Sequence, residues 1–519
     1  MASPLFLLLL LQSLLVSTSA SSTTSLLNQT ETLLKWKASL DNQSQSFLST
    51  WVGDKPCNWV GIACDRVGSV TSISLSNFGL KGTLDKLNLL AFPNLIHFDL
   101  GNNSLYGAIP SDIVNLSKLT FFNLSSDNFS GNIPKDIGRL SSLAVLDLAW
   151  NQLSGSLPVS VGNLSNVSYL AVPGNNLNGS LPQEIGMLSS VIILSLHLNS
   201  FTGPIPASIG NLSNCQHLYL SENELSGSIP SEIGRLSSLI ELHLEGNSLT
   251  GPIPASIGNL SNCQHLYLSE NELPGSIPSE IGRLSLLNFL DLHDNQLSGS
   301  IPPELGMIRN LILLDFSSNS LTGMIPKAVG NLSHLGFLYL YGNGLSGSTP
   351  REIGMIQSLF HLQLLKNNLT GVIPTSIGNL TSLVSLLLFD NKLIGSIPSE
   401  IGFLNSLINL DLHNNSFSGP IPASLGNLTS LNSLYLFDNM LSGPIPASLG
   451  NLASLNNLSL FDNMLSGPIP ASLGNLTSLS TLSLSENMLS GPLPASIGKL
   501  TRLTILQLRG NSLSGPIPV

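Results

Sequence analysis

The sequence predicts an α/β solenoid dominated by short β-strands, and three observations carry that prediction. A phrase close to L-x-x-L-x-L-x-x-N-x-L-S-G-x-I-P-x-x-I-G-N-L-x-x recurs every 24 residues from Asn103 to Asn511. A fixed period in this range means stacked units, each burying its apolar edge only against its neighbours. Within each unit the stretch x-x-L-x-L-x-x alternates, as a strand with one apolar face does. Ahead of the array, residues 21–69 have another texture, with three of the four Trp residues in one block. About 19 repeats at a strand spacing of roughly 4.8 Å give an array on the order of 90 Å along its axis. Such a stack has no deep central core for a catalytic pocket. It offers one long surface, which points to recognition.

The elements follow in order. Residues 1–20 read as a signal peptide: Leu5 to Val16 is an apolar run, and Thr18-Ser19-Ala20 supplies small residues for cleavage. The run is too short to span a membrane, which takes about 20 apolar residues. Residues 21–69 read as an N-terminal cap, which a solenoid needs because its first repeat would otherwise expose an apolar end. Within it, Leu33, Leu34, Trp36 and Leu40 fall near helical spacing, with Glu31 in the first turn. Cys57 and Cys64 lie close together among loop formers, and in an oxidising compartment they read as a local disulfide. Residues 70–519 are the repeats, the last one incomplete.

Each unit has a physical reading. The Leu residues of x-x-L-x-L-x-x point inward. The Asn donates amide hydrogens to carbonyls of the neighbouring coil that would otherwise go unpaired. The Gly of L-S-G permits a backbone conformation closed to other residues. The I-P that follows fits a second extended segment at an edge, where the missing N–H of Pro does no harm. I-G-N-L then returns as a helical or 3-10 turn. Asp127 replaces the Asn once, and an ionised Asp cannot donate, so a looser ladder is expected there. Cys215 and Cys263 stand at the first Leu position of two repeats and read as buried apolar fillers. Pro-Ala-Ser-Leu-Gly-Asn-Leu recurs at 422–428, 446–452 and 470–476, a sign of expansion by duplication.

Composition excludes several functions. Charged residues make up 9% and the net charge is −11, which suits neither nucleic acid nor an anionic membrane surface. Sequons are dense. Asn115, Asn163, Asn211, Asn259, Asn331, Asn379, Asn427 and Asn475 are candidate glycosylation sites, although N-L-S/T is also simply part of the repeat. Glycans would offset the mean hydropathy of +0.31.

The cap L-L-K-W-K-A-S-L…Cys57…Trp59…Cys64, joined to L-S-G-x-I-P repeats, resembles the ectodomain of plant leucine-rich-repeat receptor-like kinases, most nearly the subfamily XII type. The resemblance covers residues from about 22 to 519. It implies an α/β leucine-rich-repeat solenoid: a right-handed superhelix with an inner parallel sheet, a plant-type second β segment and short 3-10 or helical returns. It also implies a peptide or pattern ligand on the concave face, a leucine-rich-repeat co-receptor kinase, and signalling in defence or development. The location it implies is the secretory pathway, then the cell surface or apoplast. The membrane would enter only through a C-terminal region beyond Val519, with the paired-cysteine cap, the spanning helix and the Ser/Thr kinase that this chain lacks. No insertion interrupts the period after Asn103, which argues against a steroid-type pocket. The Arg-x-Arg pair of some peptide-hormone receptors is absent, with only Arg509 near its place.

No Ser/His/Asp set, metal-ligand set or cofactor motif stands out, so the chain itself reads as no enzyme. The string Gly342-Asn343-Gly344-Leu345-Ser346-Gly347 matches G-x-G-x-x-G, but a phosphate loop needs a strand before it, a helix after it and supporting charge. The variable strand slots say more. Eight of nine His and six of seven Tyr lie there, although duplication has copied some of them forward. Rigid aromatics on an exposed sheet suit binding. The favoured ligand face is Tyr219, Glu241, His243, Glu245, Tyr267, Asp291 and His293, with carboxylates suited to a basic or amide-rich peptide. The histidines also suggest a response between about pH 5 and 8. The competing reading is a stand-alone secreted recognition protein, a decoy or an inhibitor of a pathogen wall-degrading enzyme.

Overall fold

The computed structural model describes residues 28–517, so the expected signal peptide lies outside the described residues. The chain divides into two units, residues 1–249 and 250–519.

The first unit opens with helical turns over 28–39 and the helix Asn42–Phe47, which Asp41 caps by accepting from the Ser44 N–H at 2.8 Å. Leu33, Trp36 and Leu40 are buried on one side of these turns, while Glu31 and Lys35 pair at 2.6 Å on the other. Trp36, Trp51 and Trp59 pack as a cluster with ring centroids 6.0 and 5.4 Å apart. Each indole N–H donates to a backbone carbonyl, of Thr83, Val60 and Val52 respectively, so the rings are buried without an orphaned donor. Cys57 and Cys64 are joined by a disulfide, Cα to Cα 5.5 Å. Ile62–Cys64 pairs antiparallel with Val70–Ser74, and Val70–Ser74 pairs in parallel with His97–Asp99, as the later strands of this unit do with one another.

The register advances by whole repeats. In the first unit Phe98 lies opposite Phe122, Leu146 opposite Leu170, and Leu218 opposite Leu242. In the second unit the strands run from His265–Tyr267 to Ile505–Gln507, with Leu266 opposite Leu290 and Leu482 opposite Leu506. Parallel pairing in constant register places each inward Leu on the previous one, and Leu146, Leu170, Leu218, Leu242, Leu266, Leu290 and Leu482 are all buried. Cys215 and Cys263, at the first Leu position of their repeats, are also buried, and burial pushes the Cys215 thiol up to about 12.

A second layer of short strands and a row of 3-10 turns complete each repeat. The second strands are built from the residues after the Asn, such as Ser320–Gly323, and stop before the I-P. The Pro instead caps the turn: Pro326, with extended backbone, precedes Lys327–Asn331. This corrects the expected place of the second strand. A residue with no N–H contributes nothing to a ladder but loses nothing at a turn's first position. The rest of the unit is as expected: strand, Asn turn, Gly323 at φ 77, then a 3-10 return.

The Asn does twice what its donors alone predict. Asn319 donates to the carbonyls of Leu292, Phe316 and Ser317 at 2.9, 3.2 and 3.0 Å. Its Oδ1 also accepts from the Leu297 N–H of the previous repeat at 3.0 Å. One side chain therefore satisfies three carbonyls and one amide at a half-buried corner. The residue before it adopts a left-handed conformation, as Asp390, Asp438 and Asp462 do, with φ of 53, 52 and 50.

Among the described residues no helix is long and apolar enough to cross a membrane.

Candidate functional site

Outward strand residues form columns, and a cavity opens where a column carries small side chains. In the first unit, Ser195 faces Tyr219 across the strand pair, and Tyr219 faces His243. Ser195 and Ser221 form the floor of an open cavity; Tyr169, Ile193, His197, Tyr219, His243 and Glu245 complete its lining. The rings are held in place by each other. Tyr219 lies 4.9 Å from His243 and 6.0 Å from His197, centroid to centroid, the latter edge-on.

Polar contacts fix the ring orientations. The Tyr219 hydroxyl donates to the Glu241 carboxylate and lies 3.3 Å from His217 Nδ1, which is itself 3.2 Å from Glu241. Burial and the Glu241 carboxylate both push the Tyr219 phenol above its usual range. Ser195 Oγ meets His197 Nδ1 at 3.0 Å. His243 Nδ1 meets Glu245 Oε1 at 3.0 Å, whereas Glu245 Oε2 is buried with no hydrogen-bond partner. A buried carboxylate oxygen left without a donor is costly.

In the second unit, Tyr267 lies opposite Asp291 in register. His293 Nδ1 is 2.6 Å from Asp291 and His293 Nε2 is 3.6 Å from Glu270. Asp291, His293 and Asp315 bring possible metal-ligating atoms within 4.8 Å of one another. The hydrogen bond to Asp291 raises the His293 pKa to about 9, and a protonated imidazole has no lone pair for a cation.

Of the seven sequence-selected residues, Tyr219, Glu241, His243 and Glu245 thus belong to the first unit, with Tyr219, His243 and Glu245 lining its cavity and Glu241 bonded behind it. Tyr267, Asp291 and His293 belong to the second. Ser195 and Ser221 were not singled out, because a cavity is marked by what a column lacks. The expected histidine response also divides. Burial lowers the pKa of His197 and of His361, while that of His293 is raised, so all three move away from neutrality. The eight sequon asparagines, from Asn115 to Asn475, are all exposed, each closing its 3-10 turn away from the strand columns.

The repeat geometry and the cap define a leucine-rich-repeat protein. Residues 26–65 match the leucine rich repeat N-terminal domain family, and eleven segments between 94 and 500 match the Leucine Rich Repeat family. The ectodomain of the Arabidopsis receptor kinase HAESA, solved with the peptide hormone IDA and the co-receptor SERK1, is 34% identical. It aligns over 94% of this chain and 91% of its own, with a TM-score of 0.76. The ectodomain of the Arabidopsis thaliana receptor kinase GASSHO1/SCHENGEN3, solved with CASPARIAN STRIP INTEGRITY FACTOR 2, is 38% identical over 93% of this chain and 64% of its own, TM-score 0.67. Among curated proteins, the Arabidopsis thaliana LRR receptor-like serine/threonine-protein kinase RGI3 is 40% identical over 18% of this chain. That match spans 9% of the relative's length. The chain belongs to the family of plant leucine-rich-repeat receptor-kinase ectodomains.

Proposed function

We propose that this chain is the extracellular recognition portion of a plant receptor kinase and binds an extended peptide along its strand face, with the Tyr219–His243 cavity taking one ligand side chain. The observation that carries this reading is the open cavity on the strand face, walled by Tyr169, His197, Tyr219 and His243 with Glu245 in its lining. Such a cavity combines an apolar anchor with one directed polar contact, as ligand sites do. The residue it suits is one with an N–H donor on an apolar stem: Lys, Arg or an amide side chain. Tyr267, Asp291 and His293 offer a second, separate group of contacts for the same class of ligand. That HAESA and GASSHO1/SCHENGEN3 were solved with a peptide hormone and a peptide factor supports the ligand class, and SERK1 in the HAESA complex supports a co-receptor kinase as a further partner. On this reading the chain acts at the cell surface or in the apoplast, in defence or development.

The test uses the secreted chain and a library of displayed peptides. Selected peptides are expected to lose at least about tenfold in affinity with Tyr219→Ala and His243→Ala, the scale of a buried aromatic contact. Glu245→Gln, which removes the carboxylate charge from the cavity lining, should reduce the preference for basic residues at one peptide position. Unchanged affinity in all three variants would overturn the assignment.

A further inference from the structure

Phe389, His413, Phe437, Phe461, Ser485 and Arg509 occupy one column of the repeat, 24 residues apart. The first four rings stack nearly parallel, at 4.4 Å and 14°, 4.1 Å and 13°, then 4.4 Å and 13°. These three steps carry the stack across about 13 Å. His413 and Phe437 have both faces covered; the outer face of Phe461 does not, because the next rung is Ser485. Arg509 resumes the column beyond it, its Nε 3.5 Å from Glu486 Oε1. Strands sit about 4.8 Å apart, so Phe461 and Arg509 face each other across about 10 Å. That is close to twice the ring step seen in the stack, the separation that one inserted ring requires. An open cavity lies in this place, lined by Phe461, Ser485, Glu486, Gln507 and Arg509 among others.

We propose that this gap is a docking slot for one aromatic side chain of a peptide partner, stacked on Phe461 and covered by the guanidinium of Arg509. Duplication of the Phe-Asp-Asn phrase accounts for Phe437 and Phe461 but not for the break at Ser485 or for Arg509. The chemistry of the walls selects the occupant. A π face on one side and a cation on the other both favour a neutral ring, through stacking and cation–π attraction. A basic side chain would be repelled by Arg509, and an aliphatic one would gain apolar contact without the quadrupole term. Glu486 and Gln507 give a Tyr hydroxyl or a Trp N–H an acceptor at the rim. That the occupant belongs to a peptide rests on the function proposed above; the slot itself rests on the column.

The test is an NMR titration of the secreted chain with N-acetyl-tryptophanamide against N-acetyl-leucinamide. The wild-type chain should bind the Trp amide at least threefold more tightly. Ser485→Phe supplies the missing ring from within and should abolish that preference. Arg509→Gln should weaken Trp-amide binding two- to fivefold, the range of an exposed cation–π contact. Phe is already present in this column and Arg509 is 90% exposed, so both changes suit the fold, and Arg509→Gln keeps the test decisive if Ser485→Phe does not fold. No preference in the wild type, or an equal preference in both variants, overturns the slot. Peptide selection separates the two proposals. Aromatic enrichment that survives Tyr219→Ala with His243→Ala but vanishes with Ser485→Phe supports the slot. If the Trp-amide preference holds and no displayed peptide binds, the slot stands and the peptide reading falls.

Discussion

Asp127 occupies the corner that Asn holds in the repeats on either side, with a carboxyl oxygen where the Asn carries its NH2 donor. Its Oδ1 accepts from the Leu105 N–H at 2.7 Å, as Asn151 accepts from Phe129 at 2.8 Å. The expected loosening is confined to the side chain: the Asp127 backbone N–H still reaches the Trp150 carbonyl at 3.3 Å, against 3.2 Å for the same bond at Asn319. The carbonyl bonds that the Asn151 amide makes have no counterpart at the Asp127 Oδ2. Burial pushes the Asp127 carboxyl up to about 8, so at neutral pH the neutral acid predominates. Its Oδ2 is buried without a partner. An acid whose folded pKa is raised binds more protons folded than unfolded, so stability falls as pH rises from about 4 to about 8. Asp127→Asn removes the titration and restores the donor. It should stabilise the chain by at least about 1 kcal/mol at pH 7, with a smaller gain at pH 4.5, read by urea denaturation at both values. A gain independent of pH would refute the protonation argument. The substitution was legible in the sequence, but its protonation state was not, because desolvation belongs to the stack and not to the residue.

At the scale of the element, the strand of each repeat was readable because Leu alternation survives in nearly every copy. The 3-10 return was readable as a turn, but the reason for its Gly was not. Gly330 has no left-handed backbone; it is required because a Cβ there would lie 2.4 Å from the Glu352 carbonyl oxygen of the next turn. The 3-10 turns therefore stack backbone against backbone, a contact that no local pattern announces. Gly330→Ala should cost about 1–3 kcal/mol through overpacking. Gly336, where an added Cβ would make only ordinary contacts at 3.7 Å and beyond, should accept Ala within about 0.5 kcal/mol. Equal effects at the two positions, measured by chemical denaturation, would show that the general loss of glycine and not stacking of the turns sets the cost. The site divides in the same way. Tyr219, His243 and Glu245 stood out as large polar residues among Leu, whereas Ser195 and Ser221 became visible only once the fold set them in one cavity with those side chains.

On the scale of the whole molecule, a stack held by contacts between adjacent repeats should tolerate losing one complete period and not half of one. Residues 440–463 are such a period: removing them joins Asn439 to Met464, and the phrase continues as Asn-Met-Leu-Ser-Gly. Asn439 donates to the Leu412 carbonyl at 3.1 Å and accepts from the Phe417 N–H at 3.0 Å, contacts that a whole-period deletion leaves in place. Removing only 440–451 joins Asn439 to Leu452, deleting the second strand and the 3-10 turn while keeping the strand that follows. The 24-residue deletion should yield a folded, secreted chain with a Tm within a few degrees of the parent; the 12-residue deletion should not. The longer deletion also bears on function. It brings Phe437 next to Ser485 in the aromatic column, so the rung order becomes Phe389, His413, Phe437, Ser485, Arg509. One stacking wall replaces another, and the preference for N-acetyl-tryptophanamide should persist. A folded deletion variant that lost this preference would place the binding in something other than the column.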